Sequence, residues 1–193
     1  MNVVPALPFS DDQRGVVRDI VLVLAAGNGC QGWDAKTVAT KAKVTPELLT
    51  EHFGSVEHLF ADAVLDRATS VLDRLTESAP GGGRTPRSRV LKVVRALTEA
   101  LVGDPVLGRD AMRALTRGTD GLVPSLTETG VRLHMALARA VAGGEPGDPE
   151  WAVAGVIQGV WFAAAVAWSS GVGTVDHMED AVVRALRLMK VNG

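Results

Sequence analysis

Two short apolar stripes with helical spacing, separated by a tight turn, constrain the fold of this 193-residue chain more than any other feature. The first stripe lies within residues 35–42 and the second within residues 46–53. Their members are, in chain order, Val38, Ala39, Ala42, Leu48, Leu49 and Phe53. The turn falls at Lys43, Thr45 is suited to cap the second helix, and Pro46 fits its first turn because proline has no amide proton to leave unbonded. The stretch therefore predicts a helix-turn-helix unit.

Longer helices flank this unit on both sides. Upstream, apolar residues at helical spacing predict an amphipathic helix over residues 10–28, which Gly27 helps to stop. Asp34 is suited to cap the first helix of the unit. Downstream, Ser55 is suited to cap a long helix over residues 55–78, and we expect this helix to join the unit to the rest of the chain.

The remainder of the chain also shows only helical periodicity. A glycine-rich segment at 79–86 predicts a flexible linker, and no run of alternating apolar and polar residues predicts a strand. The five helices predicted after the linker cover residues 87–102, 104–118, 122–142, 149–170 and 175–190. We therefore expect an all-α fold of about nine helices.

The residues around the helix-turn-helix unit resemble the DNA-binding domain of the TetR/AcrR family of transcriptional regulators. The matching residues are Val38, Ala39, Ala42, Val44, Thr45, Leu48, Leu49, Phe53, Gly54, Glu57, Leu59 and Phe60. The resemblance implies an N-terminal three-helix helix-turn-helix domain, residues 1–57, followed by an α-helical ligand-binding and dimerisation domain, residues 58–193. It also implies a homodimer, most simply a repressor that a small apolar effector releases from a palindromic double-stranded DNA operator.

The second short helix is expected to enter the major groove, where hydroxyl and carboxylate groups contact phosphates and base edges. Lysines near the turn are expected to contact phosphates, as are hydroxyls near the helix starts. The residues predicted to contact DNA are Lys36, Thr37, Lys43, Thr45, Pro46, Glu47, Thr50 and His52. An ordinary solvated helix face is the alternative interpretation of the same residues.

The charge of this region keeps a second function open. Up to Ser55 the chain carries five Lys or Arg residues against six Asp or Glu residues, and the extended arm at 1–9 has no charge. Thr50 stands where the family usually has a phosphate-contacting Tyr, and Val56 stands where it usually has a Lys. The alternative is therefore a TetR-like dimer that has lost specific DNA binding and acts as a ligand- or protein-binding module.

Large apolar side chains and a few polar ones in the second half predict a ligand pocket, since such pockets are mostly apolar with a few fixed polar groups. The candidates are Met112, Leu115, Leu126, His134, Trp151, Gln158, Trp161 and Phe162. Ordinary core packing is the alternative interpretation for each of them.

Residues 152–172 form an apolar run that is long enough to span a bilayer. The flanks are acidic and carry no Lys or Arg, so a buried helix is favoured over a membrane span. Such a helix must be covered on all sides, and we expect a homodimer interface on it and on the last helix. The stripe expected on the last helix is Met178, Ala181, Val182, Ala185, Leu186 and Met189.

The sequence does not indicate an enzyme. The four histidines are scattered without metal-ligand spacing, no glycine-rich loop joins a strand to a helix, and we expect neither a cofactor nor a metal. Cys30, the single cysteine, excludes an internal disulfide and is expected to pack with Trp33 beneath the helix-turn-helix unit. With no signal peptide in the first residues, we expect a cytoplasmic protein.

Overall fold

The computed structural model describes residues 9–26, 29–77, 85–117 and 123–191, and within them it contains nine α-helices and no strand. The all-α prediction is confirmed. Most of the predicted arm, the stop at Gly27, the glycine run at 81–83 and the break at 118–121 lie outside the described residues. The helices are α1 (Asp11–Ala25), α2 (Ala35–Ala42), α3 (Pro46–Phe53), α4 (Val56–Glu77), α5 (Pro86–Val102), α6 (Pro105–Arg117), α7 (Val123–Ala142), α8 (Asp148–Ser169) and α9 (Val175–Leu188).

Side-chain caps set the ends of the helix-turn-helix unit, which consists of α2 and α3. Asp34 Oδ1 accepts a hydrogen bond from the Thr37 amide at 2.7 Å, and Thr45 Oγ1 accepts from the Leu48 amide at 3.2 Å. Ser55 caps α4 in the same way. Each cap satisfies an amide that has no partner inside its helix, so the three predicted caps are confirmed.

The first of two apolar cores lies under the helix-turn-helix unit. It buries Val21 of α1, Val38 of α2, Leu49 of α3 and Phe60 of α4, and α6 contributes Leu107. Helix α6 belongs to the second half of the molecule, because it follows α5 in the chain. The helix-turn-helix head, which consists of α1, α2 and α3, is therefore stabilised in part by residues outside it.

Trp33 closes this core from the loop before α2. Its Nε1 donates a hydrogen bond to the Gly29 carbonyl at 2.9 Å, and its ring lies 6.4 Å from the ring of Phe60, centre to centre. Cys30 is half-buried against the same core. The predicted packing of Cys30 and Trp33 is therefore confirmed.

The second core is formed mainly by α5, α7, α8 and α9. Leu97, Leu137, Ile157 and Met178 are among its buried side chains, and Met112 joins it from α6. Helices α4 and α6 contact both cores, since α4 also packs along α1 and α7. The proposed boundary at residue 57 falls at the start of α4, and it stays a prediction.

The packing of α9 corrects one expectation. Its apolar stripe faces α5 and α8 of the same subunit, with Met178, Val182 and Leu186 fully buried, so the stripe does not face a partner. The side of α9 that remains open carries Asp180, Arg184 and other charged residues.

Helix α8 keeps an open apolar side. Among the described residues it is the one helix long and apolar enough to cross a membrane, and a third of its most apolar window is buried inside the subunit. A core helix of a soluble protein meets the same length and composition, so this feature by itself does not indicate a membrane.

Candidate DNA-contacting surface and ligand cavity

The outer face of α3 is not covered by the rest of the described protein. Thr45, Glu47 and Thr50 are exposed, whereas Leu49 and Phe53 point into the first core. The amphipathic spacing of this short helix therefore fixes which of its residues can reach another molecule.

Three threonines predicted to contact DNA already make local hydrogen bonds. Thr37 Oγ1 donates to Asp34 Oδ1 at 2.7 Å, and Thr50 Oγ1 donates to the Pro46 carbonyl at 3.0 Å. Thr45 Oγ1 instead accepts from a backbone amide, which leaves its own proton free to donate. Phosphate oxygens are acceptors, so Thr45 is the best placed of the three hydroxyls to bind one.

Lysines supply the positive charge on this surface. Lys36, Lys41 and Lys43 are all exposed, and Lys43 lies in the left-handed region with φ of 56° at the turn between α2 and α3. Two exposed carboxylates, Glu47 and Glu51, lie on the neighbouring helix. The surface therefore mixes both signs of charge, as the sequence count indicates.

The two arginines of α1 are partly buried. Arg18 Nε binds Asp62 at 2.8 Å and its Nη1 binds Asp66 at 2.6 Å, both on α4. Burial would lower the pKa of Arg18, but its hydrogen bond and charge pairing with Asp62 raise it. Arg14 is half-buried, and its Nε has no hydrogen-bond partner among the described residues. The sequence does not distinguish these partly buried arginines from exposed ones.

His52 is held at the far end of α3 by aromatic contacts. Its ring stacks on Phe9 at 5.1 Å between centres and meets the edge of Phe53 at 4.7 Å. Burial lowers the pKa of His52, and the positive charge of Arg14 lowers it further, against a smaller opposing effect of Asp62. The imidazole is therefore favoured in its neutral form, which makes it a poor phosphate ligand.

A cavity of about 480 Å³ opens between α4, α5, α6, α7 and α8. Among the predicted ligand-binding residues, those that line it are Met112, Leu115, Leu126, His134, Gln158, Trp161 and Phe162. Trp151 does not line the cavity and lies behind His134, with the two rings stacked at 5.3 Å between centres. The lining residues not proposed from the sequence are Val64, Leu65, Ala68, Leu97, Ala100, Leu101, Thr129, Gly130, Leu133, Gly155 and Gly159.

His134 and Gln158 form the polar edge of the cavity. His134 Nδ1 lies 3.1 Å from Gln158 Oε1, and its Nε2 lies 3.0 Å from the Trp151 carbonyl oxygen. Gln158 Nε2 donates to the Gly130 carbonyl at 3.3 Å. These bonds tie α7 to α8. No carboxylate, lysine or arginine occurs among the described residues that line the cavity.

The remaining polar groups near the cavity are also paired. Thr129 shares a hydrogen bond of 2.8 Å with Thr69 of α4, and Trp161 Nε1 donates to Thr98 Oγ1 at 2.9 Å. The cavity wall therefore offers mainly apolar surface to a ligand, and a charged group placed inside would lose its hydration without gaining an ion-pair partner among the described lining residues.

Helices α4 and α6 connect the cavity to the head. Helix α4 lines the cavity with Val64 and buries Phe60 in the first core. On α6, Met112 lines the cavity, whereas Asp110 accepts a hydrogen bond of 3.1 Å from the Cys30 amide, in the loop before α2. A change in cavity shape therefore acts on helices that the head also rests on.

These features define a class of protein: a helical regulator in which a helix-turn-helix head is joined to a body with a ligand-sized apolar cavity. Residues 83–189 match the family model described as Tetracyclin repressor-like, C-terminal domain. The chain belongs to the TetR family of transcriptional regulators.

Similar proteins cover most of this chain. The HTH-type transcriptional repressor KstR of Rhodococcus jostii (strain RHA1) is 30% identical over 175 residues, which make up 89% of this chain and 81% of that protein. KstR of Mycolicibacterium smegmatis is 27% identical over 178 residues, which make up 92% of this chain and 87% of that protein.

Solved structures share the fold. A TetR transcriptional regulator from Rhodococcus sp. RHA1 superposes with a TM-score of 0.75 at 20% identity, covering 94% of this chain and 97% of that one. FadR of Thermus thermophilus in complex with lauroyl-CoA superposes with a TM-score of 0.69 at 16% identity. The match covers 92% of this chain and 93% of that one.

Proposed function

We propose that the protein is a cytoplasmic, homodimeric repressor that leaves a palindromic operator when a small apolar molecule fills the cavity. The observation that carries this proposal is an apolar cavity whose wall includes α4 and α6, the two helices on which the head also rests. The relatives named as transcriptional repressors support the same activity. A regulator of this kind needs no catalytic group, metal or cofactor of its own.

On DNA, α3 of each subunit would lie in successive major grooves about one helical turn apart. Thr45 and the lysines Lys36 and Lys43 would bind phosphates, and Glu47 would accept from the amino group of a cytosine. We propose that the remaining predicted residues of this surface also contact the DNA. They are Thr37, Pro46, Thr50 and His52.

The dimer contact would lie on α8, with α9 beside it. The open side of α8 is apolar, whereas the open side of α9 is mostly charged apart from Val175 and Leu188, so α8 supplies the surface that gains most from leaving water. A two-fold axis would place the same face of both copies in contact.

The effector would act by binding the two conformations of the dimer with different affinity. Filling the cavity separates α4 and α6 from the helices opposite, and the heads move with them to a spacing that the operator does not match. A difference of about 1 to 3 kcal/mol between the two states is typical for such coupling.

Unbiased selection from random double-stranded DNA, followed by fluorescence anisotropy at several salt concentrations, tests this function. We expect a palindromic site that binds far more tightly than random DNA at physiological salt. Lys43→Glu should weaken binding to every sequence and lower the slope of log affinity against log salt by about one unit per subunit. Lys92→Glu makes the same charge change on an exposed residue of α5 and should leave DNA binding unchanged.

A second function is favoured by one set of observations. Glu47 and Glu51 are exposed beside the lysines, and Arg18 of α1 is paired with Asp62 and Asp66 of α4. These features fit a dimer that binds a ligand or a protein without reading DNA. If selection enriches no sequence, and affinity equals that for random DNA at every salt concentration, this second function replaces the first.

A further inference from the structure

The contacts of His134 and Gln158, at the polar edge of the cavity, require one hydrogen more than these side chains supply. His134 Nε2 lies 3.0 Å from the Trp151 carbonyl oxygen, and its Nδ1 lies 3.1 Å from Gln158 Oε1. Both oxygens only accept hydrogen bonds, whereas a neutral imidazole carries a single N–H. One of the two ring nitrogens therefore faces an oxygen with no hydrogen between them.

Reversing the Gln158 amide does not remove this deficit. In the orientation described, Gln158 Nε2 donates to the Gly130 carbonyl at 3.3 Å. The opposite orientation would let the amide nitrogen donate to His134 Nδ1, but it would bring Oε1 against the Gly130 carbonyl oxygen, which also only accepts. In either orientation, the chain of three contacts from Trp151 to Gly130 has only two hydrogens.

Packing holds the imidazole in this position. Its ring stacks on Trp151 at 5.3 Å between centres, with 21° between the planes. On α8, Gly155 makes room for the ring, since an added Cβ there would lie 3.3 Å from His134 Cε1. The ring is therefore held with both nitrogens toward oxygens.

The deficit lies where a ligand can reach it. His134, Gln158 and Gly130 all line the cavity, whereas Trp151 lies behind the ring. A water molecule that enters the cavity can supply the missing hydrogen. A ligand that displaces such a water without replacing its hydrogen bonds loses affinity, because two acceptors are then left facing each other.

We propose that the cavity selects a neutral apolar ligand that carries a hydroxyl group, and that this hydroxyl binds at His134 and Gln158. Its hydrogen is donated to His134 Nδ1 or to Gln158 Oε1, and its oxygen can accept the second N–H of the Gln158 amide, which makes one hydrogen bond within the described residues. This inference rests on the proposed function and names the chemical class of its effector. The cavity of about 480 Å³ has the size of a small-molecule site.

An anionic ligand is the main alternative. An imidazole that took up a proton would complete the same chain of contacts, and the resulting cation would favour a carboxylate. The described lining residues include no lysine or arginine that would assist in binding an anion, and a charge is costly to place against an apolar wall. A neutral hydroxyl supplies the hydrogen without this cost.

A matched set of ligands tests the proposal with the full chain. Decan-1-ol donates and accepts a hydrogen bond, 1-methoxynonane has the same number of non-hydrogen atoms but only accepts, and decanoate is charged. Each would compete with the uncharged fluorescent probe N-phenyl-1-naphthylamine at pH 8. We expect decan-1-ol to bind about tenfold more tightly than 1-methoxynonane, and more tightly than decanoate. Equal affinities of the alcohol and the ether, or tighter binding of decanoate, would overturn the proposal.

Variants of the two side chains locate the hydroxyl. His134→Phe keeps a ring to stack on Trp151, and Gln158→Met keeps a long unbranched side chain. Each single variant leaves one of the two acceptors, so it should keep part of the preference for the alcohol. The double variant has neither acceptor and should bind the alcohol and the ether with nearly equal affinity. A double variant with the full preference would contradict the proposal.

Ala100→Phe is the control for cavity shape. It fills the wall on α5 and leaves the polar pair on α7 and α8 unchanged, so it should weaken the alcohol and the ether by the same factor. Loss of the preference in this variant would mean that shape selects the alcohol, which would overturn the inference. If circular dichroism shows that the double variant is unfolded, the ligand series with the unaltered protein decides alone.

Failure of this inference is distinguishable from failure of the proposed function. If the unaltered protein binds neither the probe nor any of the three ligands, the effector part of the proposed function fails together with the inference. Probe binding without a preference for the alcohol defeats the inference alone. The DNA selection tests the repressor activity separately, since none of these measurements includes DNA.

Discussion

At the scale of single residues, Lys43 combines two opposing demands. Its side chain is exposed at the predicted DNA surface, and its backbone has φ of 56°, a conformation that costs a residue with a Cβ about 1 kcal/mol. Lys43→Gly should therefore raise the free energy of unfolding by about 1 kcal/mol while weakening DNA binding. Urea denaturation measures the first effect and anisotropy the second.

Lys41→Gly is the matched control for this change. Lys41 is also exposed but lies inside α2, where glycine costs roughly 0.5 to 1 kcal/mol, so the free energy of unfolding should fall. If both glycine variants shift stability in the same direction, the strain attributed to the turn is absent.

The residues that could be predicted from the sequence are those whose role is local. Asp34, Thr45 and Ser55 cap helices because an oxygen-bearing side chain stands next to the first amides of each helix, and this relation is written in neighbouring positions. The inward turn of Arg18 and the stacking of His52 on Phe9 depend on residues more than forty positions away, so no local pattern indicates them.

At the scale of secondary-structure elements, α4 shows how burial changes the value of an ion pair. Asp62 pairs with Arg18 of α1 and accepts a hydrogen bond from Ser125 of α7, and its side chain is 8% exposed. Asp73 lies further along α4 and pairs with Arg132 of α7, but the Asp73 side chain is 38% exposed. Both are arginine–carboxylate pairs, and the Asp62 side chain has much less access to water than that of Asp73.

We expect Asp62→Ala to lower the free energy of unfolding by about 2 kcal/mol, because it removes a buried carboxylate that Arg18 and Ser125 both bind, although Arg18 keeps its contact with Asp66. Asp73→Ala should cost less than about 1 kcal/mol, since an exposed pair is screened by water. Chemical denaturation of both variants under identical conditions gives the comparison. Equal losses would mean that burial does not set the strength of these contacts.

The positions of the helices along the chain could largely be predicted from the sequence, but which helices pack against each other could not. Helix ends agree with the sequence because Pro46, Pro105 and Gly103 mark them directly. The stripe on α9 was correctly predicted to be apolar, yet helical spacing does not tell whether an apolar stripe faces its own subunit or a second one. The cavity shows the same limit. Its lining residues on α6, α7 and α8 could be proposed from the sequence, whereas those on α4 and α5 become evident only from how the helices pack.

At the scale of the whole molecule, the contact between head and body holds the single cysteine. Cys30 lies half-buried where the loop before α2 meets Asp110 of α6. Burial raises the pKa of the Cys30 thiol to about 12, with further contributions from the negative charges of Asp110 and Glu57. At pH 8 its thiolate is therefore rarer than that of a free cysteine by roughly three orders of magnitude.

The alkylation rate of Cys30 by iodoacetamide then reports whether Cys30 is held at the contact between head and body. In the folded protein at pH 8 the rate should be lower than in urea by about a thousandfold, because only the thiolate reacts. Since burial is the largest cause of the raised pKa, Asp110→Asn should increase the rate only slightly, and its amide oxygen still accepts from the Cys30 backbone. Asp110→Ala removes this bond as well and should increase the rate further by allowing local opening. Equal rates in folded and unfolded protein would mean that Cys30 is not held at this contact, and the coupling proposed through α6 would lose its structural basis.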